Sequence, residues 1–324
     1  MLAFAARRML VAIPILLVSS ILVFAFMRAT TNPTQALVNP RMSAAEVDRV
    51  RHAMGLDRSG PAQYVSWLKS FAQGDWGLSL TYQAPVAPII RDRLFNTVKL
   101  MSLAVVLSFL LAVGIGVVSA VRAHTPVDYT MTGFSFLGLS APTFWMALMI
   151  QLVLGFYLMR WLGRTEPVFP TFGMHAPGDP TFRLGDFLRH ATLPSLALMV
   201  QIVAGWSRYE RSSMVEVLGT DYLRTSRAKG LRERRVVLVH ALRNALIPLV
   251  TVMAVDVGGL FSGLIVTEVV FSWPGMGSLF TDALRSGDYP IVLPWLMVTA
   301  IFVIGFNLMA DMLYGVLDPR VRHA

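Results

Sequence analysis

Apolar residues gather along this chain in runs long enough to cross about 30 Å of hydrocarbon as helices, which takes roughly 20 residues each. The runs lie near 9–27, 97–121, 130–159, 191–207, 246–271 and 290–316, and they predict six membrane-spanning helices. The first follows Arg7 and Arg8, as a signal peptide would, but its apolar stretch is too long for an h-region and lacks an Ala-x-Ala exit, so it reads as a retained span. Between the first two runs the pattern becomes amphipathic. Ser43 and Glu46 have capping-box spacing, Val47, Val50 and Met54 keep helical period, and Gly55 stops the run. A second helix is expected to start at Pro61 and to carry Tyr64, Val65, Leu68 and Phe71 before Gly74. Two apolar stripes need a surface to pack on, so these helices predict a cap over one membrane face rather than a tether.

Composition agrees with that pattern. Hydrophobic residues make up 55% of the chain and charged residues 15%, with a mean hydropathy of +0.59. Soluble domains hold about 45–50% and about 25%. A net charge of +9 would suit a nucleic-acid partner, but in an all-α integral membrane protein basic residues set topology instead. Placing Arg7, Arg8, Arg122, the cluster from Arg208 to Arg243, Arg320 and Arg322 in the cytoplasm leaves Arg160, Arg164, Arg183, Arg189 and Arg285 in the two shorter outer loops. Both termini are then expected to be cytoplasmic and the cap extracytoplasmic. The long segment 28–96 is also basic, but its length lets it translocate regardless of charge.

The residue inventory excludes several chemistries. Without cysteine there is no disulfide, iron–sulfur or thiol chemistry. The lysines are Lys69, Lys99 and Lys229, none follows a glycine, and so no phosphate-cradling P-loop exists. His52, His124, His175, His190, His240 and His323 lie outside the spans or at their ends, which removes a nucleophile–base pair at membrane depth, and no His, Asp or Glu grouping has metal-ligand spacing. A membrane enzyme is not expected, and any energy from ATP must be borrowed from another chain.

What the chain does offer is an ordered polar segment from Gly219 to Pro248. Asp221 is placed to cap a helix running from Tyr222 to Lys229, with small Thr225, Ser226 and Ala228 leaving room for close approach, and Gly230 ends it. Such a helix is too short to stand alone in water. Arg232, Arg234, Arg235 and Arg243 follow, then Asn244 and Pro248 at the next span. Charges that only fix topology need no ordered helix, so the segment reads as a docking element for a soluble partner.

The run Asp221-Tyr222-Leu223-Arg224-Thr225-Ser226-Arg227-Ala228-Lys229-Gly230-Leu231, followed by His240-Ala241-Leu242-Arg243-Asn244-Ala245-Leu246-Ile247-Pro248, resembles the coupling ("EAA") loop of permease subunits of bacterial ABC importers. It is most similar to the B-type subunit of dipeptide and oligopeptide systems, in the family of binding-protein-dependent transport system inner membrane components. Gly74-Asp75-Trp76-Gly77, Ser140-Ala141-Pro142, Leu193-Pro194-Ser195, Phe271-Ser272-Trp273-Pro274-Gly275-Met276-Gly277 and Asp318-Pro319-Arg320 extend the resemblance over nearly the whole chain. Arg224-Thr225-Ser226 stands where the general motif has Glu-Ala-Ala, and Leu242-Arg243 stands where it has Leu-Pro; both changes are similar to the peptide branch.

The resemblance implies a type I importer core over 95–316, preceded by a first helix and extracytoplasmic cap over 1–94 and followed by a cytoplasmic tail over 317–324. It implies half of a translocation pathway in a bacterial inner membrane, with a second, C-type permease, two ATPase subunits that use ATP and Mg, and an extracytoplasmic substrate-binding protein. No cofactor is expected on this chain itself. Similar permeases carry peptides, glutathione, nickel chelates or sugar oligomers. A proton-coupled secondary transporter, with Asp256 and Asp311 carrying protons, is the alternative of another class, although no inverted repeat is evident.

Asp256, near the middle of the fifth span, would cost roughly 2.5–3.5 kcal/mol facing lipid, so it should face the bundle interior or a wet cavity. Either it makes an interhelical hydrogen bond or it is a pathway residue meeting the amine end of a peptide. Glu268 is expected to hold the turn from Ser272 to Gly277, while Asn307 and Asp311, an i, i+4 pair, are expected to be packing polar groups. Pro14, Pro142 and Pro294 are each expected to kink a span, and Ser140 and Pro142 are candidates for a pathway wall.

Overall fold

The computed structural model describes residues 2–30, 44–53, 57–176, 178 and 182–317. The described chain runs through α1 (Leu2–Thr30), α2 (Ala44–Ala53), α3 (Gly60–Ala72), α4 (Val86–Val121), α5 (Pro126–Ser140), α6 (Thr143–Trp161), α7 (Leu184–Leu218), α8 (Asp221–Ala228), α9 (233–270), α10 (Met276–Ser286) and α11 (Tyr289–Leu317). Among the described residues, six helices are long and apolar enough to cross a membrane, in agreement with the six runs. Ser43, Met54, Gly55 and Asp318-Pro319-Arg320 lie outside the described residues, as do the side chains of Val47, Val50 and Asp311.

α7 is the axis of the bundle. Ala191, Leu193, Ala197, Leu198, Ile202 and Trp206 are all buried along it, and it packs against α4, α5, α6 and α9. The main core continues through Ile90, Leu100, Leu249, Leu264, Trp273 and Trp295, which joins α4, α9, α10 and α11. Both α4 and α7 run well past the apolar stretches that predict them, and their extra turns carry the polar residues that tie the bundle ends.

The third run differs from its expected form. Instead of one kinked span over 130–159, the chain breaks between α5 and α6, with Ala141 extended (φ −79°, ψ 130°) ahead of Pro142. Proline crowds the preceding residue out of helical space, and no backbone N–H is available at Pro142 itself. Gln201 of α7 repairs the gap: its amide nitrogen donates to the Ala141 carbonyl (2.9 Å) and its oxygen accepts from Thr143 Oγ1 (3.1 Å). Pro14 and Pro294 sit inside α1 and α11, which continue past them. α6 and α9 also carry π-helical stretches, Gln151–Tyr157 and Val236–Ala241.

α3, expected as part of the cap, starts one residue before the expected Pro61 and packs on α1 through an aromatic ladder. Phe24, Tyr64, Trp67, Phe71 and Trp76 follow one another at ring separations of 5.1–6.1 Å. The Tyr64 hydroxyl hydrogen bonds with Ser20 Oγ at 2.7 Å. Val65 is exposed, and Trp67 takes the packing position expected for it. A ladder of this kind suits the membrane interface, where an aromatic body is buried and its polar edge stays wet.

Candidate functional site

The segment after α7 forms the short helix α8, flanked by Thr220 as N-cap and Lys229 as C-cap, with Gly230 in the left-handed region (φ 73°). Asp221 is therefore the first helical residue rather than the cap. Its carboxylate accepts from Arg224 NH1 at 3.2 Å, and a carboxylate in a first helical turn also opposes the helix dipole favourably. The helix has one anchor. Leu223 is 0% exposed, packed among Ala120, Met214, Val236, Val237, Ala241 and Ala245 of α4, α7 and α9. Full burial of one leucine contributes about 1.5–3 kcal/mol, which offsets the instability of an isolated two-turn helix.

Two polar links set its angle. Asn244 Nδ2 donates to the Tyr222 hydroxyl at 2.7 Å, and Arg227 makes a bidentate pair with Glu233 at 2.9 and 3.1 Å. Gly230 lets the chain reverse so that Glu233 can return to Arg227. Asp221, Tyr222, Arg224, Thr225, Ala228 and Lys229 are exposed, Ser226, Arg227 and Leu231 half-buried. α8 thus presents a small, mixed-charge surface on a fixed footing.

Beneath it lies a buried ion pair that sequence reading misses. Asp128, 1% exposed at the start of α5, accepts from Arg211 Nε (2.6 Å) and NH2 (2.7 Å), from Ser119 Oγ (2.5 Å) and from the His124 amide (2.9 Å). These contacts bind the ends of α4, α5 and α7 together. Hydrogen bonding to the Arg211 guanidinium, ahead of the desolvation that opposes it, holds the Asp128 carboxyl well below the usual carboxylate range. Arg211 is one arginine among many near this end, and nothing local marks it as the one with a buried partner.

At the opposite end, Glu268 is 0% exposed and faces the first turn of α10. It accepts from the amides of Gly277 (2.6 Å) and Ser278 (3.2 Å) and from Thr97 Oγ1 (2.6 Å), while Thr97 Oγ1 itself accepts from the Met276 amide (2.8 Å). A carboxylate here meets the unpaired amides and positive dipole end of a helix. There is no room for a larger residue at Gly277, where a Cβ would lie 2.5 Å from Ile265 Cα. Trp273 Nε1 donates to the Asn96 carbonyl (3.1 Å) and Trp295 Nε1 to the Met276 carbonyl (2.7 Å), closing the turn. Asp288, also 0% exposed and not anticipated, accepts from Ser79 Oγ (2.5 Å) and from the amides of Leu80 (3.1 Å) and Thr81 (2.9 Å), which seats the loop between α3 and α4 on the end of α10.

The remaining candidates are dispersed. Asp256 is exposed on α9 and accepts from Trp206 Nε1 of α7 at 2.8 Å. Ser140 and Pro142 are exposed at the α5–α6 break, and Ser140 Oγ donates to the Leu137 carbonyl at 3.1 Å. Gln201 holds the break and Trp206 holds Asp256, so α7 carries both, separated by roughly 7.5 Å of helical rise. Asn307 Oδ1 occupies the space beside Gly258, within 2.6 Å of where a Cβ would stand. Among the described residues, no three His, Asp or Glu side chains gather as a metal site.

Known proteins place this arrangement. Residues 112–323 match the family described as "Binding-protein-dependent transport system inner membrane component", and residues 1–101 match its N-terminal counterpart. The chain is 38% identical to the oligopeptide transport system permease protein AppB of Bacillus subtilis, covering 100% of both chains. It is 35% identical to the dipeptide transport system permease protein DppB of Escherichia coli, covering 100% of this chain and 99% of that one. Its fold matches a chain of the inward-facing MetNI methionine ABC transporter with a TM-score of 0.55, at 14% identity, over 71% of this chain and 96% of that chain. The chain belongs to the binding-protein-dependent transport system inner membrane component family, as a multi-pass permease subunit of an ABC importer whose ATPase activity lies in separate subunits.

Proposed function

We propose that this chain is the B-type permease of a peptide importer, lining half of a pathway for short peptides. Two classes of observation support the reading: full-length similarity to permeases named for oligopeptides and dipeptides, and a footed, exposed α8 in a chain with no P-loop of its own. α8 and the segment 219–248 would seat in a groove on an ATPase subunit, and nucleotide-driven closure there would bias the packing of α9 against α7. The partners would be a C-type permease, two ATPases using ATP and Mg, and an extracytoplasmic binding protein. Residues 95–316 would form the transport core, 1–94 the first helix and outer cap, and 317–324 a cytoplasmic tail. Both termini would be cytoplasmic.

The test is uptake of a labelled tetrapeptide by proteoliposomes holding the whole complex. Uptake should require ATP, persist when an uncoupler collapses the proton gradient, and be competed by unlabelled peptide rather than by nickel chelate or sugar oligomer. Competition by sugar alone would retain the importer and remove the peptide; uptake driven by a proton gradient without ATP would overturn both. Orientation has its own check in a chain without cysteine. Ser59→Cys should react with an impermeant maleimide from outside, and Ser226→Cys only after permeabilisation.

A further inference from the structure

The outward faces of the helices are not alike. α1 exposes Leu10, Val11, Ile13, Ile15, Val18 and Ile21, a surface that lipid can cover without cost. α9 instead exposes Pro248, Val255, Asp256 and Gly259 along one side. A carboxylate at this depth is not a lipid-facing residue, because hydrocarbon offers nothing to replace its hydration. The surface around Asp256 must meet either water or another protein.

The geometry decides further. Trp206 is 1% exposed, so its indole is fixed by packing, and its Nε1 donates to Asp256 Oδ2 at 2.8 Å. That bond satisfies Oδ2 of an exposed side chain, and no donor to Oδ1 is found among the described residues. One turn along α9, a Cβ built on Gly259 meets no atom of another helix within 4 Å, so neighbouring helices leave this side of α9 uncovered there. The result is an exposed anion anchored through one oxygen, with the other left to accept. A compact ammonium, which donates three hydrogen bonds from a point charge, fits that offer.

We propose that Asp256 is an ammonium-binding subsite of the translocation pathway, receiving the positively charged amine end of the passing solute while Trp206 holds the carboxylate in place. The inference rests on the peptide reading, since a peptide brings its own ammonium and a sugar oligomer does not. A cation on the second permease is the competing source of the same charge, and it predicts a dry contact rather than a wet one. An interhelical hydrogen bond alone predicts no dependence on charge.

The absence of cysteine makes the test direct. Asp256→Cys is assembled with cysteine-free partners into the full complex in proteoliposomes, and peptide uptake is followed before and after treatment with two methanethiosulfonates of opposite charge. The substitution should lower uptake about tenfold and react with both reagents from water. The 2-sulfonatoethyl adduct should restore part of the rate, and the 2-aminoethyl adduct should remove what remains. Asp256→Asn, which keeps an oxygen for the Trp206 indole, should fall as far as Asp256→Cys, whereas Trp206→Phe should fall less. Wild-type uptake of the tetrapeptide with no labelling of the substituted residue, or equal inhibition by both adducts, overturns this inference alone. No uptake by the wild-type complex overturns the peptide reading and this inference with it.

Discussion

Two short amphipathic helices, α8 and α10, interrupt the long spans, and they are held by opposite means. α10 buries Met276, Gly277, Leu279 and Ala283, its first amides are taken by the fully buried Glu268, and its far end meets the buried Asp288. α8 buries only Leu223, and its polar links to Asn244 and Glu233 lie at the surface. The buried carboxylate at that end, Asp128, belongs to the platform beneath α8 and not to α8 itself. An element whose hydrogen bonds are all internal cannot be gripped by a partner without losing them. One that stands on a single apolar anchor, with its charges outward, can be. The difference separates a turn buried into the bundle from a helix left accessible, as the proposed coupling role requires.

The largest effect is expected from breaking the platform. Arg211→Ala leaves Asp128 buried beside neutral donors only, with its countercharge gone, and removing one partner of a buried pair costs about 3 kcal/mol or more. The unfolding temperature of the purified complex should drop accordingly. The sign of the pH dependence follows from the depressed Asp128 carboxyl. Its contribution is fully present above the unfolded-state value of about 3.9 and is lost only as pH falls below it toward the folded value. Between pH 5 and 8 the Asp128 contribution to wild-type stability should therefore stay flat, whereas in Arg211→Ala, with desolvation no longer opposed by the guanidinium, stability should fall as pH rises. A wild-type stability that Asp128→Asn shows to depend on Asp128 titration within that range would mean that Asp128 is not held ionised.

Next in size is the turn before α10. Glu268→Ala removes the acceptor of two amides and one hydroxyl in a site without water access, at about 2 kcal/mol. Glu268→Gln, which keeps one acceptor, should cost less. Both should lower thermal stability and uptake together, with the ratio of ATP hydrolysed to solute transported unchanged. A changed ratio at normal stability would erase the distinction between the two helices.

The spans, the helix α3 and the position of α8 were legible because each is written in local periodicity or punctuation: apolar runs, a start at Pro61 or the residue before it, and the Gly230 stop. The buried carboxylates were legible only in part. Glu268 lies within ten residues of the turn whose amides it accepts, and sequence proximity suggested the link. Asp128 finds its charge partner 83 positions away, and Asp288 finds its partners 207–209 positions away, beyond any local pattern. At Pro142 the sequence predicts only a kink, because proline restricts just itself and the preceding residue. What allows a full break is Gln201, which supplies a donor and an acceptor from another helix.

The smallest effect on stability, and the most diagnostic, concerns Arg227 and Glu233. Their side chains are 36% and 58% exposed, so the pair contributes about 0.2–1 kcal/mol to folding. It nevertheless spans the Gly230 reversal and fixes the direction in which α8 leaves α9. Arg227→Glu should leave the unfolding temperature of the complex nearly unmoved while raising ATP hydrolysed per solute transported. Glu233→Arg should do the same. The double exchange, Arg227→Glu with Glu233→Arg, rebuilds the pair with reversed polarity and should recover coupling if the link acts by holding α8. If Arg227 instead meets the ATPase directly, the double exchange should be as uncoupled as Arg227→Glu. If all three variants couple as the wild type does, α8 owes its footing to Leu223 and to the Tyr222–Asn244 hydrogen bond, and Leu223→Ala combined with Asn244→Ala should then uncouple the complex.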